Sequence, residues 1–261
     1  MPLDRFLIDN AMAVRVGCFL GVLVVMALLE LLIPRREQKV GRLTRWPGNL
    51  GIVVVDTLLV RLLIPVSLVG FALWAEERGW GLLPLLGVPA IIAVPLTVLA
   101  LDLLIYAQHV VFHHVPMLWR LHRMHHADLE LDVTSGTRFH PIEILLSVLL
   151  KMATIALLGA PPVAVLGFEV LLNATAMFNH SNVRLPATFD RLLRLVLVTP
   201  DMHRVHHSVV MRETNSNYGF NLPWWDRLFG TYRSEPEAGQ LGMAIGIERF
   251  RDPSELRLDR M

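Results

Sequence analysis

The chain has 261 residues, 54% of them hydrophobic, with a net charge of +1 and a single cysteine. A mean hydropathy of +0.50 is too apolar for an ordinary soluble domain. The near-zero charge, with no lysine/arginine stripe, excludes nucleic acid as the main partner. The lone Cys18 excludes a disulfide frame or a cysteine-held iron–sulfur cluster and agrees with a reducing compartment.

In chain order, residues 1–10 read as a short amphipathic lead, and residues 11–33 are almost unbroken Val, Leu, Ala and Met. At about 1.5 Å per residue that run crosses a hydrocarbon core of about 30 Å. It is too long for a signal peptide, and Leu31-Leu32-Ile33-Pro34 lacks a small-residue cleavage site. Arg35, Arg36, Lys39, Arg42 and Arg45 follow against the single acid Glu37, which places this loop in the cytoplasm. A second apolar run, residues 50–74, returns across the membrane. It carries Asp56 and Arg61, which must face protein or water, either as a packing pair or in the chemistry. The turn at 76–81 then lies outside. A third run, interrupted by Pro84, Pro89 and Pro95, leads to His109 and His113 at the cytoplasmic boundary. Asp102, two turns before His109, is either a packing partner or a carboxylate that orients a histidine.

All eleven histidines lie between His109 and His207. They form His109/His113/His114, the cluster His122-Arg-Met-His125-His126, the single His140 and His180, and the cluster His203-Arg-Val-His206-His207. Positions i, i+3 and i+4 share one helical face, so each HxxHH cluster aims three imidazoles one way. Between the clusters, residues 128–136 are polar and turn-forming. Residues 142–178 are apolar around Gly159-Ala160-Pro161-Pro162 and form a transmembrane or re-entrant hairpin that returns His180 to the side of His140. Thr199-Pro200-Asp201 marks the helix start of the second cluster. Every histidine group thus lies at the cytoplasmic end of the spans.

The expected fold is all-α. It is a membrane bundle of about four transmembrane helices under a cytoplasmic helical cap that holds a dimetal site. Residues 1–90 anchor the chain, 91–235 form the catalytic domain and 236–261 a soluble tail. Nine converging imidazoles exceed what one ion takes. The HExxH pattern of a zinc hydrolase is absent. A histidine-held pair of irons that activates dioxygen fits this donor set. A zinc enzyme or zinc-binding protein with the same ligands is the alternative, and zinc can replace iron in purified protein. A metal transporter would place histidines at mid-membrane depth instead.

The sequence resembles the fatty acid hydroxylase and sterol desaturase superfamily of membrane di-iron proteins. The resemblance rests on His109/His113, residues 118–126 (LWRLHRMHH), Arg138 to Pro141, His180-Ser181-Asn182, His203 to His207, Asn217-Tyr218-Gly219 and residues 225–231 (WDRLFGT). It implies two iron ions, dioxygen as oxidant, and hydroxylation or desaturation of a lipid such as a sterol, fatty acyl chain, alkylglycerol or carotenoid. It also implies His109, His113, His122, His125, His126, His180, His203, His206 and His207 as ligands, supported by Asp102, His114, His140, Asp201 and Asn217. Some fatty acid hydroxylases carry another histidine where this chain has Ala176, so His140 or water is a substitute ligand, or the site has one fewer. The sequence has no flavin, haem or nicotinamide motif. Electrons must therefore come from a separate ferredoxin or haem protein with its reductase. Arg120, Arg123, Arg204 and Arg212 either form its docking face or pair with local carboxylates and lipid phosphates.

Overall fold

The computed structural model describes residues 3–261. Among the described residues there is no strand, only isolated bridges Pro34–Val183 and Ser208–Ile245. The order is α1 (Leu3–Asp9), α2 (Ala11–Leu32), α3 (Arg42–Leu63), α4 (Leu68–Glu77), α5 (Leu82–Leu85), α6 (Ala90–His114), α7 (Pro116–His126), α8 (Pro141–Leu158), α9 (Pro162–His180), α10 (Ala187–Leu193), α11 (Pro200–His206), α12 (Met211–Thr214), α13 (Trp224–Leu228) and α14 (Gly239–Gly242). Five helical stretches are long and apolar enough to cross a membrane: α2, residues 42–85, α6, α8 and α9. The expected count was about four, with 142–178 left open; both of its helices meet the criterion. Leu20, Val24 and Leu28 on α2, and Val54, Leu58 and Leu62 on α3, are exposed one turn apart. These are the stripes that a helix shows to lipid.

The second apolar run departs from expectation. The helix begins at Arg42, inside the basic loop, and stops at Leu63. Pro65 supplies no amide and holds Ile64 at φ −129°, so the helix cannot continue. Ser67 restarts it by accepting the Gly70 amide at 3.0 Å. Elsewhere, proline opens helices where its missing amide costs nothing, at Pro116, Pro141, Pro162 and Pro200.

The ends of the long helices meet on one side. Arg35 donates its amide to the Asn182 carbonyl (2.7 Å) and Arg184 to Ile33 (2.9 Å), which ties the end of α2 to the end of α9. Glu30 accepts the amides of Val133 (2.7 Å) and Asn182 (2.9 Å) and pairs with Arg42 (2.8 Å). On the opposite side, Gly159 ends α8 in the left-handed region (φ 66°) and lies so close to Gly81 that a Cβ at either would overlap backbone. Residues 81 and 159 therefore share one end of the bundle and the histidines the other. Pro253–Leu256 packs its buried Leu256 over Gly48 of α3, so the C-terminal segment lies against the bundle.

Candidate metal centre

Four elements deliver the histidines. The last two turns of α6 carry His109 and His113; α7 carries His122, His125 and His126; α9 ends on His180; and α11 carries His203 and His206, with His207 as its C-cap. Their ligand-capable nitrogens fall into two groups, each within 4.8 Å: His109, His113, His122, His126 and His206, then His125, His180, His203 and His207. Each HxxHH motif is split between the groups. His122 and His126, four apart, serve one and His125 the other; His203 and His207 serve the second and His206 the first. A helix turns about 100° per residue, so the middle member points aside and reaches the neighbouring group.

The hydrogen bonds fix which nitrogen faces inward. The Nδ1 atom donates to an oxygen that can only accept in six rings. These are His109 to Tyr218 O (2.8 Å), His113 to Asn215 Oδ1 (3.2 Å), His122 to Glu143 Oε1 (2.7 Å), His125 to Arg138 O (3.1 Å), His180 to Ala176 O (2.7 Å) and His206 to Ser216 O (2.7 Å). Their Nε2 atoms then carry lone pairs. In the first group, Nε2 of His109, His113, His122, His126 and His206 is buried without a partner. In the second, the His180 Nε2 lies 3.0 Å from that of His125 and 3.1 Å from those of His203 and His207. His125 and His180 both carry their proton on Nδ1, so the lone pairs of these two Nε2 atoms face each other at 3.0 Å and repel unless a cation lies between them. Nitrogens at about 2.0–2.1 Å from one divalent ion are roughly 3–3.4 Å apart, so the donor set fits one ion per group.

Electrostatics agree. Burial, with the neighbouring imidazoles adding to it, holds His125, His126, His203, His206 and His207 well below the usual histidine range. They are therefore neutral at pH 7, the form that ligates metal.

A polar platform outside the helical core aims these rings. Arg45 of α3 is wholly buried and donates to Asp128 (2.8 and 3.0 Å), Asp132 (2.7 Å), Glu130 O (3.0 Å) and Ser135 Oγ (2.9 Å). Burial alone would raise the Asp128 carboxyl; Arg45 and Arg138 instead hold it well below the carboxylate range. Asn49 accepts from Arg138 Nη1 (3.1 Å), and Arg138 Nε donates to Met124 O (2.8 Å). The Arg138 carbonyl in turn receives His125, so α3 positions α7 through one side chain. Phe139 stacks flat on the His125 ring, centroids 4.4 Å apart.

Of the supporting residues expected from sequence, none touches a ligand-capable histidine nitrogen. Asp102 accepts Asn221 Nδ2 (2.8 Å), Trp225 Nε1 (2.8 Å) and the Leu222 amide (3.3 Å) rather than a histidine. Asp201 pairs with Arg35 and Arg204. Asn217, at φ 51°, holds Met202 O (2.9 Å) and the Arg233 backbone. His114 is exposed and bonded to Val110 O. His140 caps α8 by accepting the Ile142 amide (3.1 Å) and lies outside both groups, so it does not replace the missing partner at Ala176. Of the arginines weighed either as a docking face or as partners of local carboxylates, two take the second role. Arg204 is buried on Asp201, Arg212 pairs with Glu237, and Arg123 lies over Phe250.

Glu143 and Asn215, which do orient ligands, were not picked out by sequence reasoning. The only available signal for Glu143 was an acid in the first turn of a helix, which also satisfies the helix dipole. Beneath His109 and His122 a cavity of about 350 Å³ opens into the bundle, with Phe139, Ile105 and Phe220 on its walls.

A model of the fatty acid hydroxylase family matches residues 94–231, more than half of the chain. The chain belongs to the fatty acid hydroxylase family. The match encloses all nine grouped histidines and the 225–231 segment; α1 to α4 lie outside it, although α3 supplies Arg45 and Asn49. Among curated proteins, the chain is 36% identical over 141 residues to the ornithine lipid hydroxylase OlsE of Rhizobium tropici, covering 54% of this chain and 42% of that one. It is 29% identical over 157 residues to the alkylglycerol monooxygenase of Homo sapiens, 58% of this chain and 33% of that one. It is 27% identical over 159 residues to the cholesterol 25-hydroxylase of Rattus norvegicus, 60% and 51%. The aligned segments thus span from a third to about half of these relatives. No solved structure matches.

Proposed function

We propose that this protein is a membrane-embedded oxygenase that hydroxylates or desaturates a C–H bond of a lipid, using two histidine-held iron ions, dioxygen and electrons from a separate donor. The observation that carries this is the pair of inward-facing imidazole groups at the head of a cavity inside an apolar bundle. The relatives support it, since each is named as a lipid hydroxylase or monooxygenase.

His109, His113, His122, His126 and His206 would hold one ion and His125, His180, His203 and His207 the other. When bound, the iron pair supplies the oxidising power that an unactivated C–H bond requires. The protein contributes placement and exclusion. Glu143 keeps the His122 proton on Nδ1 and makes Nε2 a better donor. Phe139 and Phe220 keep water from the cavity head, and Ile105, Ile144 and Val148 among its lining steer a hydrocarbon toward it. The basic surplus of residues 35–45, where Lys39 stays exposed although Arg35, Arg42 and Arg45 are drawn into ion pairs, supports a cytoplasmic metal end, where a ferredoxin or haem protein can dock. A zinc protein with the same ligands is the second reading, because neutral imidazole ligates zinc as readily as iron.

Oxygen uptake by iron-loaded protein in vesicles, with a reductase system and extracted membrane lipids, tests this. Lipid-dependent uptake with a product heavier by one oxygen or lighter by two hydrogens is expected. Equal inertness of iron- and zinc-loaded protein toward every lipid class would leave only the zinc reading.

A further inference from the structure

The cavity under the histidines continues among α2, α3, α6, α8 and α9, and its lower half is charged. Ionisable groups inside a membrane bundle are costly unless they serve a ligand or a path. On α8, Glu143, Ser147 and Lys151 all line the cavity at four-residue spacing, a polar stripe about 12 Å long. Lys151 forms no ion pair or hydrogen bond with any described residue. Across from it on α9, Glu169 receives Arg15 at 3.3 Å through Oε1, while its Oε2 is buried without a partner. Asp56 on α3 likewise has a buried, unpartnered Oδ1. α2 packs along α9 and α3 along α8. Arg15 on α2, half-buried, and Arg61 on α3, exposed, line the cavity from these two pairs and mark a lateral opening toward lipid.

One unpaired ammonium, Lys151, and two half-used carboxylates, Asp56 and Glu169, lie in the lower cavity, with a third, Glu143, under the histidines, and together they select an occupant with both signs. A simple carboxylate would serve Lys151 but add negative charge beside Asp56 and Glu169. A simple amine would leave Lys151 unmatched, and a neutral lipid would match neither. We propose that the lower cavity is a headgroup site for a zwitterionic, amino-acid-like lipid. Its anionic group binds Lys151, its ammonium binds Asp56 and Glu169, and its hydrocarbon runs up toward His109 and His122. This rests on the lipid-oxidising reading of the site, but its test needs no turnover.

The full chain, zinc-loaded in nanodiscs of neutral lipid, is titrated with radiolabelled Nε-palmitoyl-lysine, its methyl ester, its α-N-acetyl derivative, palmitate and palmitoylglycerol. The zwitterion is expected to bind about tenfold or more tightly than each of the others. Lys151→Met should remove its advantage over the methyl ester, and Asp56→Asn its advantage over the acetyl derivative, with zinc content unchanged. Lys151→Arg should restore most of the first. Equal binding of all five probes, or indifference to Lys151→Met, would mean a hydrated polar cavity only and overturn the proposal. Tightest binding of palmitate would overturn it in favour of a plain anion site. Zwitterion binding as expected, with no lipid oxidation by the iron-loaded protein in the separate oxygen-uptake assay, would instead count against the oxygenase reading alone.

Discussion

At the scale of single residues, the hydrogen bond from His122 to Glu143 separates orientation from ligation. Glu143 is buried and reaches the ring with Oε1 at 2.7 Å, leaving Oε2 without a partner. A carboxylate behind a metal-bound imidazole fixes its tautomer and raises its basicity, and losing it costs about 10–100-fold in metal affinity or activity. Glu143→Gln keeps the shape but offers an amide that can present its nitrogen to Nδ1. It is expected to weaken metal retention by about that factor in a chelator competition while the melting temperature of the protein changes little. Unchanged retention would mean that packing alone sets the ring. The same scale governs acid behaviour. The five histidines of α7 and α11 held below their usual range are neutral when folded, and they bind protons near pH 6.5 when unfolded. Below about pH 6.5 the unfolded chain therefore takes up more protons, and stability falls as pH falls. Melting of the metal-free protein should be flat from about pH 7 to 8 and drop steadily below 6.5. A melting temperature that rises on acidification would contradict the burial seen here.

At the scale of elements, α3 does two unrelated jobs. Its outer face is apolar and exposed, whereas its first two turns plug Arg45 and Asn49 into the 128–138 loop. Removing one partner from a buried charge pair leaves the other uncompensated, at a cost of about 3–5 kcal/mol. Arg45→Met is expected to destabilise the protein by that order and to release metal, because the loop carries Arg138 and Arg138 O holds His125. A double variant with both Asp128→Asn and Asp132→Asn should recover part of the loss, as measured by thermal unfolding in detergent. Little of this was legible in the sequence. Hydropathy marked the spans, and histidine spacing marked the shared faces. The basic run 35–45, however, read as a loop obeying a topology rule; the structure also pairs half-buried Arg42 with Glu30 and buries Arg45 on Asp128 and Asp132. Composition cannot distinguish an arginine that faces the cytosol from one that is buried on aspartates 83 and 87 positions away. The break at Pro65 was visible as a proline, but the apolar residues on both sides concealed it.

At the scale of the whole molecule, the long helices do one thing together: they bring histidines more than 90 positions apart to one end, with a cavity of mixed apolar and charged lining below. The grouping of nine imidazoles was readable because metal ligands must be histidines here and their spacing must suit a helix. Their five-and-four division was not, since it depends on how α6, α7, α9 and α11 cross. Nor could the sequence give the backbone carbonyls of Tyr218, Arg138, Ala176 and Ser216 that aim the rings, because any residue carries a carbonyl. Asp102 illustrates the same limit. Its carboxylate holds Trp225 and Asn221, while Asp226, on the same short helix as Trp225, accepts the Tyr218 amide (2.8 Å). Of the two roles open to it from sequence, Asp102 thus takes the packing one and lies at several removes from the His109 ring.

The central claim is two ions held by two separate sets of imidazoles. Its most direct test is iron stoichiometry of the protein reconstituted anaerobically with iron, alongside His180→Ala and His109→Ala. Two irons per chain are expected for the unaltered protein and about one for each variant, with the remaining iron's Mössbauer signal differing between the variants. One iron per chain in the unaltered protein, or the loss of both together in each variant with the helices still folded, would contradict it.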